Sequence, residues 1–116
     1  MTNIEGGPGE NRIQRTGGYA TYVKTAEEFI LGQLGKPIRV VDIADAVGVS
    51  VPTLNRAFRK CHGIGPRAFV KQRRLDKVRS ELRRADPQVT SVSKIATKYA
   101  FWHLSQFAAD YKRAFG

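Results

Sequence analysis

An all-α chain, built as two helix-turn-helix subdomains joined by a long linker helix, is the fold class this sequence predicts. Three observations predict it. A spaced pattern occurs twice: Ile43-Ala44 is followed by Gly48-Val49, Leu54, Phe58 and Gly63, and Ile95-Ala96 by Ala100-Phe101, Phe107, Tyr111 and Gly116, with one extra residue after the second turn. Each copy reads as a short helix, a tight turn and a longer helix. Apolar residues recur at helical spacing on both sides of the repeat, and no stretch sustains the period-two alternation of a half-buried strand. Between the copies, helical periodicity runs from Pro66 to about Arg84.

Residues 1–18 are rich in Gly, with Asn, Glu and Pro, and read as a flexible leader or linker. The first subdomain takes residues 19–64. Tyr22, Ala26, Phe29, Ile30 and Leu34 mark a helix from about Tyr19 to Leu34, which Gly35 and Lys36-Pro37 stop. A short helix follows over about Val40 to Val47, with Ile43, Ala44 and Val47 apolar. Gly48 supplies the turn, because positive φ costs glycine little. Ser50 is a favourable N-cap, and Pro52 falls in the first turn of the next helix, where its missing N–H is tolerated. That helix runs to about His62, with Leu54, Ala57, Phe58 and Cys61 on one face, and Gly63 ends it.

The linker helix takes residues 65–85. Pro66 opens it, Phe69, Val70, Leu75, Val78 and Leu82 are its apolar positions, and Asp86-Pro87 breaks it. The second subdomain takes residues 86–116. Ser91 caps a short helix to Tyr99 that carries Val92, Ile95 and Ala96. After Ala100-Phe101-Trp102, a last helix from about His103 to Phe115 is expected to bury Leu104, Phe107, Ala108, Tyr111 and Phe115.

Charge narrows the partner. The 116 residues carry 20 Lys and Arg against 10 Asp and Glu, a net +10. Such an excess points to a polyanion, either nucleic acid or an anionic membrane surface, beside the plainer reading that it only keeps the chain soluble. No apolar run approaches the roughly 20 residues that cross a bilayer, and residues 1–18 hold no apolar stretch suited to a secretory signal. The single cysteine, Cys61, allows no intrachain disulfide and fits a reducing compartment. A cytoplasmic protein is expected, with no membrane partner.

Catalysis finds no residues to carry it. Cys61 falls on the apolar face of its helix, with His62 turned about 100° away around the axis, and is expected to be a buried structural thiol rather than a nucleophile. One Cys and two distant His give no metal-ligand spacing. There are no paired carboxylates in an apolar setting and no Gly-rich strand-to-helix phosphate loop. No enzyme activity, metal or cofactor is expected.

Double-stranded DNA is the partner that both repeat and charge suit. The start of the second helix of a helix-turn-helix meets base edges in the major groove. In the first unit this selects Pro52, Thr53, Asn55 and Arg56. Arg56 suits bidentate bonding to guanine and Asn55 to adenine, while Pro52 offers only shape and apolar contact, as to a thymine methyl. A phosphate contact or a structural ion pair is the alternative for Arg56. In the second unit His103, Ser105 and Gln106 are the readers. The repeat sets Ala108-Ala109 opposite Asn55-Arg56, so this helix is expected to read less stringently. Trp102 is either exposed beside them or a core residue shielding the turn. Arg59, Lys60, Arg67, Lys71, Arg73, Arg74, Lys77, Lys112 and Arg113 are candidates for phosphate, with a structural role as the alternative for Arg74, which sits beside core Leu75. Six phosphates neutralised would give a slope of log K against log salt of about −5. A linker helix of roughly 19 residues is about 28 Å long, near the ~34 Å between successive major-groove windows on one DNA face. The rival readings are a non-specific basic or architectural nucleic-acid-binding protein, a helical module that meets acidic proteins, and a compact bundle whose repeat is only packing.

These residues, taken in order, resemble the DNA-binding domain of AraC/XylS-type bacterial transcription regulators from about Tyr22 to Gly116. The resemblance rests on Ile43-Ala44 with Gly48 and Ser50, on the run from Leu54 to Lys60, on Gly63 with Pro66 and Phe69, on Arg74-Leu75 with Val78 and Leu82, and on Val92, Ile95-Ala96, Phe101, Phe107, Tyr111-Lys112-Arg113 and Phe115-Gly116. It implies about seven helices, sequence-specific binding to promoter DNA, and contact with RNA polymerase. It also implies a separate effector or dimerisation domain, which is not expected within these residues. Ala100 departs from the glycine usual in the second turn, His103 from a small polar N-cap, and Ala109 from a polar or basic side chain. The chain stops short of the family's Ser-Pro-containing tail.

Overall fold

The computed structural model describes residues 15–116. Most of the expected leader, residues 1–14, lies outside the described residues. Six helices form the described chain, with no strand among them: α1 (Arg15–Leu31), α2 (Val40–Val47), α3 (Val51–His62), α4 (Pro66–Arg84), α5 (Val92–Lys98) and α6 (Leu104–Phe115). This is the all-α, double helix-turn-helix architecture, in line with the helix number the resemblance implies. α1 starts four residues before Tyr19, drawing the end of the Gly-rich stretch into the helix, and it ends at Leu31 rather than Leu34. Leu34 is still buried, because the turn after α1 folds it back onto the core.

Caps and turns explain most boundaries. The Asp42 carboxylate accepts the Arg39 backbone N–H (3.1 Å) and pairs with the Arg39 guanidinium (3.0 Å), fastening the start of α2. Gly48 ends α2 at φ 87°. Ser50 Oγ accepts the Thr53 N–H (3.3 Å) at the start of α3, and Gly63 closes that helix in the left-handed region. Ser91 does for α5 what Ser50 does for α3, accepting from Lys94 N–H at 3.2 Å.

Two cores hang on one spine. Val23, Ala26, Ile30, Ile43, Leu54 and Phe58 are among the buried residues that join α1, α2 and α3. Phe69 and Val70 bring the first half of α4 into that core, and Leu75 and Val78 bring its second half into another, with Ile95, Ala96 and Phe107. The linker helix is thus a structural member of both subdomains. Its 19 residues span about 28 Å.

Contacts across the junction hold the two halves together. Arg74 donates through Nε to the Leu34 carbonyl (3.2 Å) and through Nη2 to the Lys36 carbonyl (2.6 Å). Its guanidinium is therefore a clamp on the turn after α1 rather than a free cation, and burial lowers its pKa. Tyr99 packs against both cores. Its hydroxyl donates to Glu81 of α4, and burial together with that carboxylate pushes its pKa up to about 12. Gly35 passes so near α5 that a Cβ there would meet the Lys98 carbonyl oxygen at 3.1 Å.

The second turn is strained where the first is not. Ala100 stands at φ 70°, the only described non-glycine residue at positive φ. A Cβ in this region crowds the backbone and costs about 1–2 kcal/mol. Ala100→Gly is expected to stabilise the fold by about 1 kcal/mol, the greater chain entropy of glycine offsetting part of the relief. Urea unfolding followed by circular dichroism measures it. An unchanged or lower midpoint would contradict strain at this turn.

Candidate nucleic-acid interface

α3 is two-faced. Leu54, Ala57 and Phe58 are fully buried, while Pro52, Arg56, Arg59 and Lys60 are exposed and Thr53 and Asn55 half-buried. The hydroxyl of Thr53 accepts from Ser50 Oγ (3.0 Å) and from Arg56 Nη2 (3.2 Å). Thr53 therefore orients Arg56 as well as sealing the cap. Arg56 forms no ion pair with any described acid, so the structural-pair alternative does not hold. Its guanidinium stands at the exposed start of the helix with most of its donors free.

Burial on the last turn of α3 differs from the sequence expectation. Cys61, expected to be buried, is exposed. His62 is exposed as well, stacked on Phe69 with centroids 4.9 Å apart and with its Nε2 2.7 Å from Glu27 Oε2 of α1. The buried stripe of α3 ends at Phe58, so Cys61 is left at the surface, beside an imidazole held by a carboxylate of α1.

α6 repeats the scaffold of α3 with different surface chemistry. Val49 N and Phe101 N both donate into the preceding helix, to Ala44 O (3.1 Å) and Ala96 O (3.0 Å). Ser50 and His103 are the two N-caps, but His103 makes no side-chain cap bond. The residue left over in the second turn is Trp102. It is 58% exposed, which resolves the sequence alternatives against a core role. Leu104 and Ala108, expected to be buried, are exposed, whereas Phe107 is buried and Tyr111 and Phe115 are half-buried. The aromatic ladder Phe101–Phe107–Tyr111–Phe115 packs against Leu75, Val78, Ile95 and Ala96 in this core, which does not include Leu104.

His103, Ser105 and Gln106 are all exposed. Gln106 also spends an amide N–H on Asp110 Oδ1 (3.0 Å). Asp110, at 5% exposure, is the buried charge of the described residues. Lys71 of α4 approaches its Oδ2 at 3.2 Å, and Arg113 donates to Oδ1 at 3.0 Å. Hydrophobic patterning could not find it, because its burial depends on a lysine from another helix. Burial pushes the Asp110 carboxyl up, but the bonds from Lys71, Gln106 and Arg113 outweigh it and hold it below the ordinary carboxylate range. Its contribution to stability is therefore fully present above the unfolded value of about 3.9 and lost as pH falls through the lower folded value. The stability advantage of the native chain over Asp110→Asn should be flat near neutral pH and shrink below about pH 4. Urea unfolding at stepped pH measures it, and an advantage that grows on acidification would contradict this network.

The cations divide by partner. Arg59, Lys60, Lys77 and Lys112 are exposed and form no ion pair with any described acid. Arg73 is tied to Asp76 (3.0 Å) and lies over the Phe69 ring, 4.8 Å from its centroid. Arg113 keeps an exposed head although Asp110 holds one of its nitrogens. Lys71 and Arg74 are structural in the ways described. The described residues hold no group of three or more His, Cys, Asp or Glu that could bind a metal, and no helix long and apolar enough to cross a membrane.

Known proteins share this design. A family model described as a helix-turn-helix domain matches residues 43–116. A probable thc operon regulatory protein from Rhodococcus erythropolis is 36% identical over 94 residues, covering 81% of this chain and 28% of the relative. A XylDLEGF operon transcriptional activator from Pseudomonas putida is 33% identical over 89 residues, covering 77% and 28%. A crystal structure of a probable AraC family transcriptional regulator from Rhodopseudomonas palustris superposes with a TM-score of 0.72 at 32% identity, covering 82% of this chain and 87% of that one. The chain spans little more than a quarter of the length of these two curated relatives. Its repeated helix-turn-helix, its spine helix and these likenesses together make it a member of the AraC-type family of helix-turn-helix transcription regulators.

Proposed function

We propose that this chain binds double-stranded promoter DNA sequence-specifically, with α3 and α6 reading two adjacent major-groove segments. The observation that carries the reading is the exposed start of α3. There Pro52 and Arg56 are exposed and Asn55 is half-buried on a capped helix, and Arg56 pairs with no described acid. Guanine offers two acceptors in the major groove that match a guanidinium, and adenine offers the donor and acceptor that match an Asn amide. Arg59, Lys60, Lys77 and Lys112 would meet phosphates and supply much of the affinity, with Arg73 and Arg113 contributing where their local pairs exchange for phosphate. The length of α4 suits a spacing of about one helical turn of DNA between the two reading helices.

The same reading makes the chain part of a cytoplasmic regulator, with RNA polymerase as a further partner and dimerisation through another domain. Two relatives, by name, regulate or activate operons, which supports a promoter as the target. Selection of bound duplexes from a random pool tests it. The expected result is a motif of two elements about one helical turn apart. An unenriched pool, with equal affinity for unrelated duplexes at moderate salt, would replace this reading with non-specific or architectural binding.

A further inference from the structure

The surface of α6 is apolar where that of α3 is polar. In register, Asn55 and Arg56 give way to Ala108 and Ala109, both exposed. Leu104 stands at the position of Val51 and is 41% exposed, and the turn before it carries the extra residue, Trp102, at 58%. Helical periodicity sets Leu104, Ser105, Ala108 and Ala109 side by side, opposite buried Phe107 and Asp110. Exposed large apolar groups gathered at the tip of a helix mark a contact surface.

We propose that this tip recognises thymine methyl groups, so that the second unit selects thymine by apolar contact while the first selects by hydrogen bonds. The inference rests on the proposed DNA binding. Thymine alone among the four standard bases shows a methyl in the major groove, and small or aromatic apolar side chains are the groups that meet it. DNA is favoured over a protein partner as the occupant because the tip repeats the scaffold of the α3 reading helix. Lys112, one turn further on the same exposed face, pairs with no described acid and is placed for the flanking phosphate.

Deoxyuridine deletes that methyl and leaves base pairing intact. The duplex recovered by selection is prepared with thymine or deoxyuridine in the half not affected by Arg56→Ala, and bound to the full chain. Each lost contact is expected to weaken binding about fourfold, the equivalent of one buried methyl. Trp102→Ala and Leu104→Ser alter exposed side chains and should bind the two duplexes with reduced or no discrimination. Trp102 is the sole tryptophan, so its fluorescence should change on binding. Equal binding of both duplexes by the unaltered chain, or discrimination undiminished in both variants, would overturn the inference while leaving DNA binding intact. An unchanged tryptophan signal at saturation would overturn it too. Failure to bind any duplex would instead overturn the proposed function itself.

Discussion

Phe58→Ala is expected to destabilise the first subdomain by about 3–5 kcal/mol. Phe58 is fully buried, packs edge-on against Phe69 at 5.2 Å between centroids and lies 5.9 Å from the His62 ring. It joins α3 to α4, so truncation leaves a cavity between two helices that cannot close without moving the spine. A small domain has only about 5–15 kcal/mol of stability in total, so the loss should shift the urea midpoint sharply and unfold much of the protein at physiological temperature. Phe58→Leu, which keeps most of the volume, should cost less than half as much. A midpoint shift worth under about 1 kcal/mol for the alanine variant would mean that this core is not packed as described.

Arg56→Ala should weaken binding to the selected duplex by about 1–3 kcal/mol and relax preference at one base pair. Its side chain is exposed and bonded only to Thr53, so the fold should keep its stability. Lys77→Ala supplies the contrast. That lysine has no base-reading position, and its loss should weaken all duplexes alike and lower the salt slope by about 1. Binding titrations of selected and scrambled duplexes at several salt concentrations separate the two. If Arg56→Ala lowers affinity equally for both duplexes, Arg56 meets phosphate and sequence is read elsewhere.

The contrast between α3 and α6 shows where sequence reasoning succeeds. The ends of α3 were legible because Ser50, Pro52 and Gly63 act on their immediate neighbours. The end of α2 was legible for the same reason in Gly48, and the strain at Ala100 could be anticipated as its missing counterpart. α6 was harder. Its apolar residues outnumber the positions its core can take, and periodicity alone could not say that Leu104 and Ala108 would be the ones left outside. It also gave no sign that a carboxylate would occupy a core position, since Asp110 is acceptable there only with Lys71 beside it. Position within α3 singles out Pro52, Thr53, Asn55 and Arg56 as candidates, whereas the bond by which Thr53 holds Arg56 is visible only in the folded helix.

Capping, turn chemistry and helical periodicity act over a handful of residues, so the order of the six described helices, the repeated unit and the exposed face of α3 are written into short stretches of chain. Which cations are free, which apolar side chains remain in water, and how the two halves are locked together depend on groups distant along the chain. Arg74 is taken out of service as a phosphate ligand by a carbonyl 40 residues away. Such pairings form only once helices have packed, because hydrogen bonds and burial require atoms within a few ångströms, and sequence separation carries no record of that distance.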